Sequence, residues 1–153
     1  MPCAPSGASA GAAVRIVLDT NVVLSALLWR GTPYSLFQAV RQQERLRLFT
    51  SNALLEELAE VLTRPSPAKR LALIGRTARD LLGDYVEAAE LVMPDTVHRV
   101  VPDDVDDDQV IAAAVAAQAD LIISGDRHLL TLGTHQGIRI VSAADAIGII
   151  AAA

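Results

Sequence analysis

The 153-residue chain is long enough for one domain with a full hydrophobic core and short for two. Its composition, 52% hydrophobic but only 3% aromatic, predicts a core of Ala, Val, Leu and Ile. No apolar stretch is long enough to cross a bilayer, and the single cysteine, Cys3, excludes both a disulfide framework and a cysteine-based metal site. Taken as a whole, the net charge of −5 argues against a nucleic-acid partner.

The first residues, "MPCAPSGASAGAA", have neither the basic nor the apolar region of a signal peptide. We therefore predict a flexible leader over residues 1–13 and one domain over residues 14–153. A soluble protein of the cytoplasm is the expectation.

The run Val14–Leu18 is continuous, apolar and rich in β-branched residues, which predicts a buried parallel strand. Apolar side chains then recur at helical spacing. A second helix is expected with Thr32 as N-cap and Pro33 at its first position, and we expect it to end near Gln43. Leu46–Thr50 predicts a short second strand.

Ser51 is placed to cap a third helix, "NALLEELAEVLTR", which the prolines that begin at Pro65 should stop. Thr77 and Asp80 predict a capping box for the next helix, "ARDLLGDYVEAAELV", which Pro94 should end.

In the last third, we predict a weak strand "HRVV", an acidic loop "PDDVDDD" and an Ala-rich helix "QVIAAAVAAQA". A buried strand "LIIS", a turn "GDRHLL", a strand "IRIV" and a closing helix capped by Ser142 follow. This alternation of strands and helices predicts an α/β fold with three layers, α/β/α, around a central parallel sheet of four to five strands.

Four carboxylates are expected at one edge of that sheet, beyond the carboxyl ends of the strands, where α/β folds place their sites. Asp19 directly follows the first strand, and Asp126 follows "LIIS" by one glycine. Asp108 begins the Ala-rich helix on its packing face, and Glu57 lies between Leu54 and Leu58 on the apolar side of the third helix. Glu56 and Glu60 are better placed for solvent.

Each of these acids alone also has a structural explanation. Asp108 and its two acidic neighbours suit a helix N-terminus, Asp126 suits a turn, and Glu57 suits a surface position. Thr20 and Asn21 suit a turn and a helix cap. Asp19 is the hardest to explain structurally, because an unpaired carboxylate is expensive beside a buried strand.

Several carboxylates at one edge would repel each other unless a cation lay between them. All-oxygen ligation suits Mg²⁺ or Mn²⁺, which bind phosphates, polarise phosphoryl oxygens and lower the pKa of bound water. The residues alone therefore predict metal-dependent phosphoryl chemistry, most simply hydrolysis.

The segments "VLDTNVVLSALL", "TSNALLEELAEVL", "PDDVDDDQVIAAAVAAQADLIISGDRHLL" and "IRIVSAADAI" together resemble the PIN domain. More narrowly, they resemble the bacterial PIN-family toxins of toxin–antitoxin systems, akin to VapC-type toxins. The resemblance extends from Val14 to Ile150, with the segments in the expected order.

The resemblance implies a metal-dependent ribonuclease that cleaves RNA by in-line attack of water and leaves a 5′-phosphate and a 3′-hydroxyl. It also implies a small antitoxin protein as partner, a homodimer, and one or two Mg²⁺ or Mn²⁺ ions. Position by position, the catalytic and metal-binding acids are Asp19, Glu57, Asp108 and Asp126, with Asn21, Ser124 and Asp107 as supporting residues. Asp106 or Asp107 remains open as a residue that shares the role of Asp108.

A basic stretch from Val61 to Arg79 holds five basic residues and no acid, whereas Asp95–Asp108 holds six aspartates. A basic rim around an acidic centre would let a negatively charged protein hold RNA. The proposed backbone contacts are Arg30, Arg64, Lys69, Arg70 and Arg127, although ordinary surface solubility also explains them. The histidines, His98, His128 and His135, are expected to be structural or exposed, and Trp29 is expected in the core or at a dimer contact.

Two other functions compete. A haloacid-dehalogenase-like phosphatase also has an acid after its first strand, but it needs a second Asp two residues later, where this chain has Asn21. A non-catalytic adaptor that binds a protein partner would have no physical reason to keep the four acids together.

Overall fold

The computed structural model describes residues 13–95 and 105–152, of which 105 and 106 are described by their backbone alone. The strands are β1 Val14–Leu18, β2 Leu46–Ser51, β3 Ala89–Val92, β4 Leu121–Ile123, β5 Thr134–His135 and β6 Ile138–Val141. The helices are α1 Thr20–Leu28, α2 Thr32–Gln42, α3 Asn52–Val61, α4 Pro65–Ile74, α5 Ala78–Ala88, α6 Val105–Ala117, α7 Arg127–Leu132 and α8 Ala143–Ala152.

The described strands form one sheet in the order β3-β2-β1-β4-β6-β5. The first five of these are parallel, and β5 is a short antiparallel edge strand. The chain moves outward from β1 to β2 and β3 and then returns through α6 to place β4 on the other side of β1. The carboxyl ends of β1 and β4 are therefore neighbours at a point where the strand order reverses.

Two apolar clusters cover the two faces of this sheet, because alternate strand residues point to opposite sides. Ile16 and Leu18 pack on one face with residues of α1, α2, α5 and α8. Val17, Phe49 and Ile122 pack on the other face with the apolar residues of α6 and with Leu129 of α7. The predicted three-layer α/β/α fold is confirmed.

Local end signals explain most helix boundaries. The side chains of Ser51 and Thr77 cap α3 and α5, and Asp80 completes the capping box at Thr77. The Ser142 hydroxyl accepts a hydrogen bond from the backbone N–H of Asp145 at the start of α8. The strand predicted over Val14–Leu18 is confirmed at both ends.

Two predicted helix boundaries were wrong. Gly31, rather than Thr32, holds the N-cap position of α2, so Thr32 is the first helical residue. The helix expected to run to Arg64 ends at Val61, before the prolines, and Pro65 opens the further helix α4, because proline lacks only an N–H that the first helical turn leaves unpaired anyway.

Two segments near the site also differ from the prediction. The helix expected to run to Pro94 ends at Ala88, and Ala89–Val92 pairs with β2 as an edge strand. The residues after Asp126 were expected to form a turn, but they form the short helix α7, which Asp126 caps.

Some predictions lie outside the described residues: the leader up to residue 12, the strand "HRVV" with His98, and the side chain of Asp106. Within the part of the chain that is described, no helix combines the length and the apolar character needed to cross a membrane.

Candidate functional site

The carboxyl ends of β1 and β4 bring two predicted site residues together. Leu18 is paired with Ile123, and the backbone N–H of Asp19 donates to the carbonyl of Ile123 over 2.9 Å. Asp19 and Ser124 are thus the first residues beyond two adjacent parallel strands. This reversal point of an open α/β sheet is where such folds bind ligands.

Asp19 is buried, with 6% of its surface exposed, yet both of its carboxylate oxygens accept hydrogen bonds. The Ser124 hydroxyl donates to Oδ2 over 2.7 Å, and the Thr20 backbone N–H donates to Oδ1 over 2.8 Å. These donors offset part of the cost of burying the charge and fix the orientation of the carboxylate.

Ser124 also links Asp19 to Asp126. Its hydroxyl oxygen accepts a hydrogen bond from the Asp126 backbone N–H over 2.9 Å. Ser124 is completely buried, so this single hydroxyl sets the positions of two of the four predicted acids. Ser124 was predicted as a supporting residue of the site, and it is in direct contact with Asp19.

Glu57 reaches the same edge from α3. Leu54 and Leu58 are buried on its helix, Glu57 is half-buried, and Glu56 is exposed, as the helical spacing predicted. The Thr20 hydroxyl donates to Glu57 Oε1 over 2.5 Å. Thr20 is therefore a bridge between Asp19 and Glu57, a role that sequence reasoning missed when it gave this residue to the turn.

Asp107 and Asp108 of α6 lie in different surroundings. Asp107 and Asp108 are both buried at the start of the helix, where the helix dipole favours negative charge. One ligand atom each from Asp107, Asp126 and His128 lies within 4.8 Å of the other two. Asp108 instead lines a cavity with Asp95 and His135. The structure thus places Asp107 beside Asp126, whereas the resemblance favours Asp108 as the metal-binding residue.

His128 is the second residue that sequence reasoning missed. Its side chain is 55% exposed, as expected, but Nδ1 lies 3.5 Å from Oδ1 of Asp126. The same carboxylate oxygen accepts the His128 backbone N–H over 2.7 Å, because Asp126 caps α7. The spacing of Asp126 and His128 across the start of a helix was the available signal, and it was not used because α7 was not predicted.

We call the group formed by Asp19, Thr20, Glu57, Asp107, Ser124, Asp126 and His128 the acid site. Its donors are carboxylate oxygens with one imidazole nitrogen beside them, a set that fits a divalent cation. Asn21 lies in the first turn of α1 with an exposed side chain.

The predicted RNA-contacting residues are distributed over several surfaces. Arg127 and Lys69 are exposed, and Arg127 lies between Asp126 and His128 in the chain. Arg64 forms an ion pair with Glu60 one helical turn away over 2.8 Å. Arg30 and Arg70 line a groove at the end of α1.

We call this groove, lined by Trp29, Arg30, Tyr34, Arg41, Arg70 and Arg76, the guanidinium groove. The Arg30 guanidinium lies 4.4 Å from the ring centre of Tyr34, and that of Arg70 lies 6.0 Å from the Trp29 ring. Trp29 is 40% exposed, so of its two predicted positions the core is wrong and the dimer contact stays a prediction. The nine residues of α1 separate this groove from the acid site by about 13 Å along the helix axis.

Comparison with known proteins supplies the family. A model of the PIN domain family matches residues 15–128, which include every residue of the acid site. The chain is also 29% identical over 120 residues to the uncharacterized protein MJ1680 of Methanocaldococcus jannaschii, covering 78% of this chain and 75% of that protein.

Proposed function

This chain belongs to the PIN domain family, and from that premise we propose that it is a divalent-metal-dependent endoribonuclease. PIN domains are generally metal-dependent nucleases. The observation that carries the proposal is the acid site itself. Asp19 after β1, Glu57 on α3 and Asp126 after β4 are tied together there by Ser124 and Thr20, and Asp107 of α6 lies beside Asp126.

In the proposed enzyme, Asp19, Glu57, Asp107 and Asp126 of the acid site hold Mg²⁺ or Mn²⁺. The resemblance also assigns Asp108 to this set, although in the structure Asp108 lines the cavity with Asp95 and His135. A divalent ion supplies Lewis acidity toward a phosphoryl oxygen and lowers the pKa of water. The protein fixes the orientation of the carboxylates that would bind this ion. Ser124 fixes the Asp19 carboxylate through Oδ2, and Thr20 fixes Glu57 through Oε1. Preoriented carboxylates need no rearrangement when substrate binds, which is a large part of what such sites contribute to rate.

The guanidinium groove supports RNA as the substrate. Arginines contact phosphates, and exposed aromatic rings stack against unpaired bases. Trp29 and Tyr34 lie among four arginines in this groove. We propose that the groove and Arg127 hold the RNA backbone on either side of the acid site, with Lys69 and Arg64 in weaker, more screened contacts.

The toxin role is proposed on the resemblance of the chain's segments to bacterial PIN-family toxins. It includes a small antitoxin protein that blocks the acid site, and a homodimer. The "LLW" and "YSLF" segments contribute little to such contacts, because Leu28, Leu36 and Phe37 are buried in the core. Trp29 is the exception.

The test is cleavage of a mixed pool of structured RNAs by the purified full chain, with Mn²⁺, with Mg²⁺, and with EDTA. The proposal expects endonucleolytic cleavage with either metal, and loss of cleavage both in EDTA and in Asp19→Asn. Release of phosphate from a small ester without cleavage of RNA would support the phosphatase instead. Intact RNA together with no Mn²⁺ binding by the folded protein would overturn the enzyme proposal in favour of an adaptor.

A further inference from the structure

We propose that His128 is a ligand of the metal in the acid site and that its imidazole makes the site select Mn²⁺ over Mg²⁺. This inference rests on the proposed function only in requiring a divalent ion at the acid site. It adds a residue outside the four acids, on an element that the sequence did not predict.

The distances suit shared ligation. Two ligand atoms of one ion, each about 2.1 Å from it, lie about 3 Å apart at a right angle and at most about 4.2 Å apart. His128 Nδ1 and Asp126 Oδ1 are 3.5 Å apart, within that interval. Asp107 completes a group whose ligand atoms are all within 4.8 Å of one another, so small side-chain rotations bring all three onto one ion.

A hydrogen bond fixes the backbone of His128 relative to Asp126. Asp126 caps α7 through its bond to the His128 N–H, which fixes the first helical turn relative to the carboxylate. Burial falls across the group: Asp107 is 2% exposed as a residue, and the side chains of Asp126 and His128 are 22% and 55% exposed. The carboxylate of α6 therefore closes the inner side of the site, and the imidazole forms its solvent side.

The ligand type decides the preferred metal. Mg²⁺ is a hard ion that takes oxygen ligands in a near-ideal octahedron and gains little from nitrogen. Imidazole binds first-row transition metals more strongly than it binds Mg²⁺, and Mn²⁺ is a first-row metal that also accepts carboxylate and water. An acid site with four carboxylates alone would not discriminate strongly between Mg²⁺ and Mn²⁺. An acid site that includes the His128 imidazole favours Mn²⁺.

The experiment measures metal binding to the full chain without RNA. Mn²⁺ affinity is obtained from the free-ion signal in electron paramagnetic resonance, and Mg²⁺ affinity is obtained by competition. We expect His128→Ala to weaken Mn²⁺ binding by about 10- to 100-fold, as the loss of a supporting group at a metal site typically does. Mg²⁺ binding should change less than threefold. His128→Asp should keep Mg²⁺ binding and abolish the preference for Mn²⁺ over Mg²⁺. Thr131→Ala, an exposed change on the same helix, is the control.

A spectroscopic measurement on the unmodified chain tests for the imidazole ligand even if the variants fail to fold. Pulsed electron paramagnetic resonance of the Mn²⁺-loaded protein should show coupling to an imidazole ¹⁴N, and the coupling should change when the chain is labelled with ¹⁵N-histidine. It should disappear in His128→Ala and persist in Thr131→Ala.

The outcomes separate this inference from the proposed function. Loss of Mn²⁺ binding in Asp126→Asn, together with unchanged Mn²⁺ binding in His128→Ala and no imidazole coupling in the unmodified chain, would overturn the inference and leave the acid site intact. His128 would then serve only as an ion-pair partner of Asp126. Undiminished Mn²⁺ binding in both Asp126→Asn and Asp107→Asn would remove the metal site and, with it, the proposed function.

Discussion

The two ends of α1 carry opposite charges in different surroundings. At its start, Asp19 is buried and both carboxylate oxygens accept hydrogen bonds from fixed donors. At its end, Arg30 and Arg70 lie over the rings of Tyr34 and Trp29. Fixed carboxylates suit a metal ion, which demands defined ligand positions, and arginines on aromatic faces suit a chain of phosphates and bases. Changes at the first end should alter metal binding and rate, and changes at the second should alter RNA affinity.

The largest effect is expected from removing the charge at the start of α1. Mn²⁺ at about 100 times its Kd should stabilise the unmodified protein by about 2.7 kcal/mol. Asp19→Asn should lose most of that stabilisation, because a ligand charge of the acid site is gone. Thermal unfolding with and without Mn²⁺ measures it, with the exposed Glu87→Gln as control. Equal stabilisation of Asp19→Asn and the unmodified chain would contradict the assignment of Asp19.

The bridge between Asp19 and Glu57 can be broken at one atom. Thr20→Val keeps the shape of the side chain and removes the hydroxyl that donates to Glu57. We expect the cleavage rate at saturating RNA to fall about 10- to 100-fold, because the Glu57 carboxylate loses its orientation. Thr20→Ser should restore most of the rate. A valine variant that cleaves as fast as the unmodified protein would show that the bridge is only structural.

A smaller effect, confined to affinity, is expected at the other end of α1. Arg30→Gln should weaken RNA binding severalfold and reduce the slope of log K against log salt by about 1. The rate at saturating RNA should not change. Binding titrations at several salt concentrations measure this, with the exposed Arg139→Gln on β6 as control. An unchanged slope would remove Arg30 from the RNA path.

The smallest effect concerns a surface ion pair that belongs to neither end. Arg47 on β2 contacts Glu90 on β3 over 2.7 Å, and its hydrogen bond lowers the pKa of the Glu90 carboxyl. A carboxyl whose pKa is lower in the folded than in the unfolded state stabilises the fold at pH values above its unfolded-state pKa. That stability is lost as the pH falls through the folded-state pKa. Both side chains are well exposed, so the contribution is under about 1 kcal/mol.

Urea unfolding of Glu90→Gln and the unmodified chain measures this contribution. The two should differ slightly at pH 7 and converge in acid, below the ordinary pKa of glutamate. A difference that grew as the pH was lowered would have the wrong sign for this ion pair.

The fold was largely predictable because its determinants are local. Val14–Leu18 is apolar throughout, and Ser51 and Thr77 cap their helices through neighbouring residues. Ala89–Val92 was missed because its strand conformation comes from pairing with β2, which a helical local pattern cannot reveal.

The candidate site was predictable to the extent that strand ends determine it. Asp19 and Ser124 follow adjacent parallel strands, so their proximity follows from topology. Thr20 and His128 were not predictable, because their roles depend on rotamers and on a short helix. Asp107 and Asp108 are consecutive helical residues and point about 100° apart, so an error of one residue in the register of the helix exchanges them.

The most direct test of the account compares two neighbouring glutamates on α3. Glu57 is half-buried and bonded to Thr20, whereas Glu56 is exposed. We would measure single-turnover cleavage of one RNA with Mn²⁺ by Glu57→Gln and Glu56→Gln. We predict that Glu57→Gln loses at least about 100-fold in rate and that Glu56→Gln cleaves like the unmodified chain. Equal rates for the two variants would contradict a metal-dependent nuclease site at this edge of the sheet.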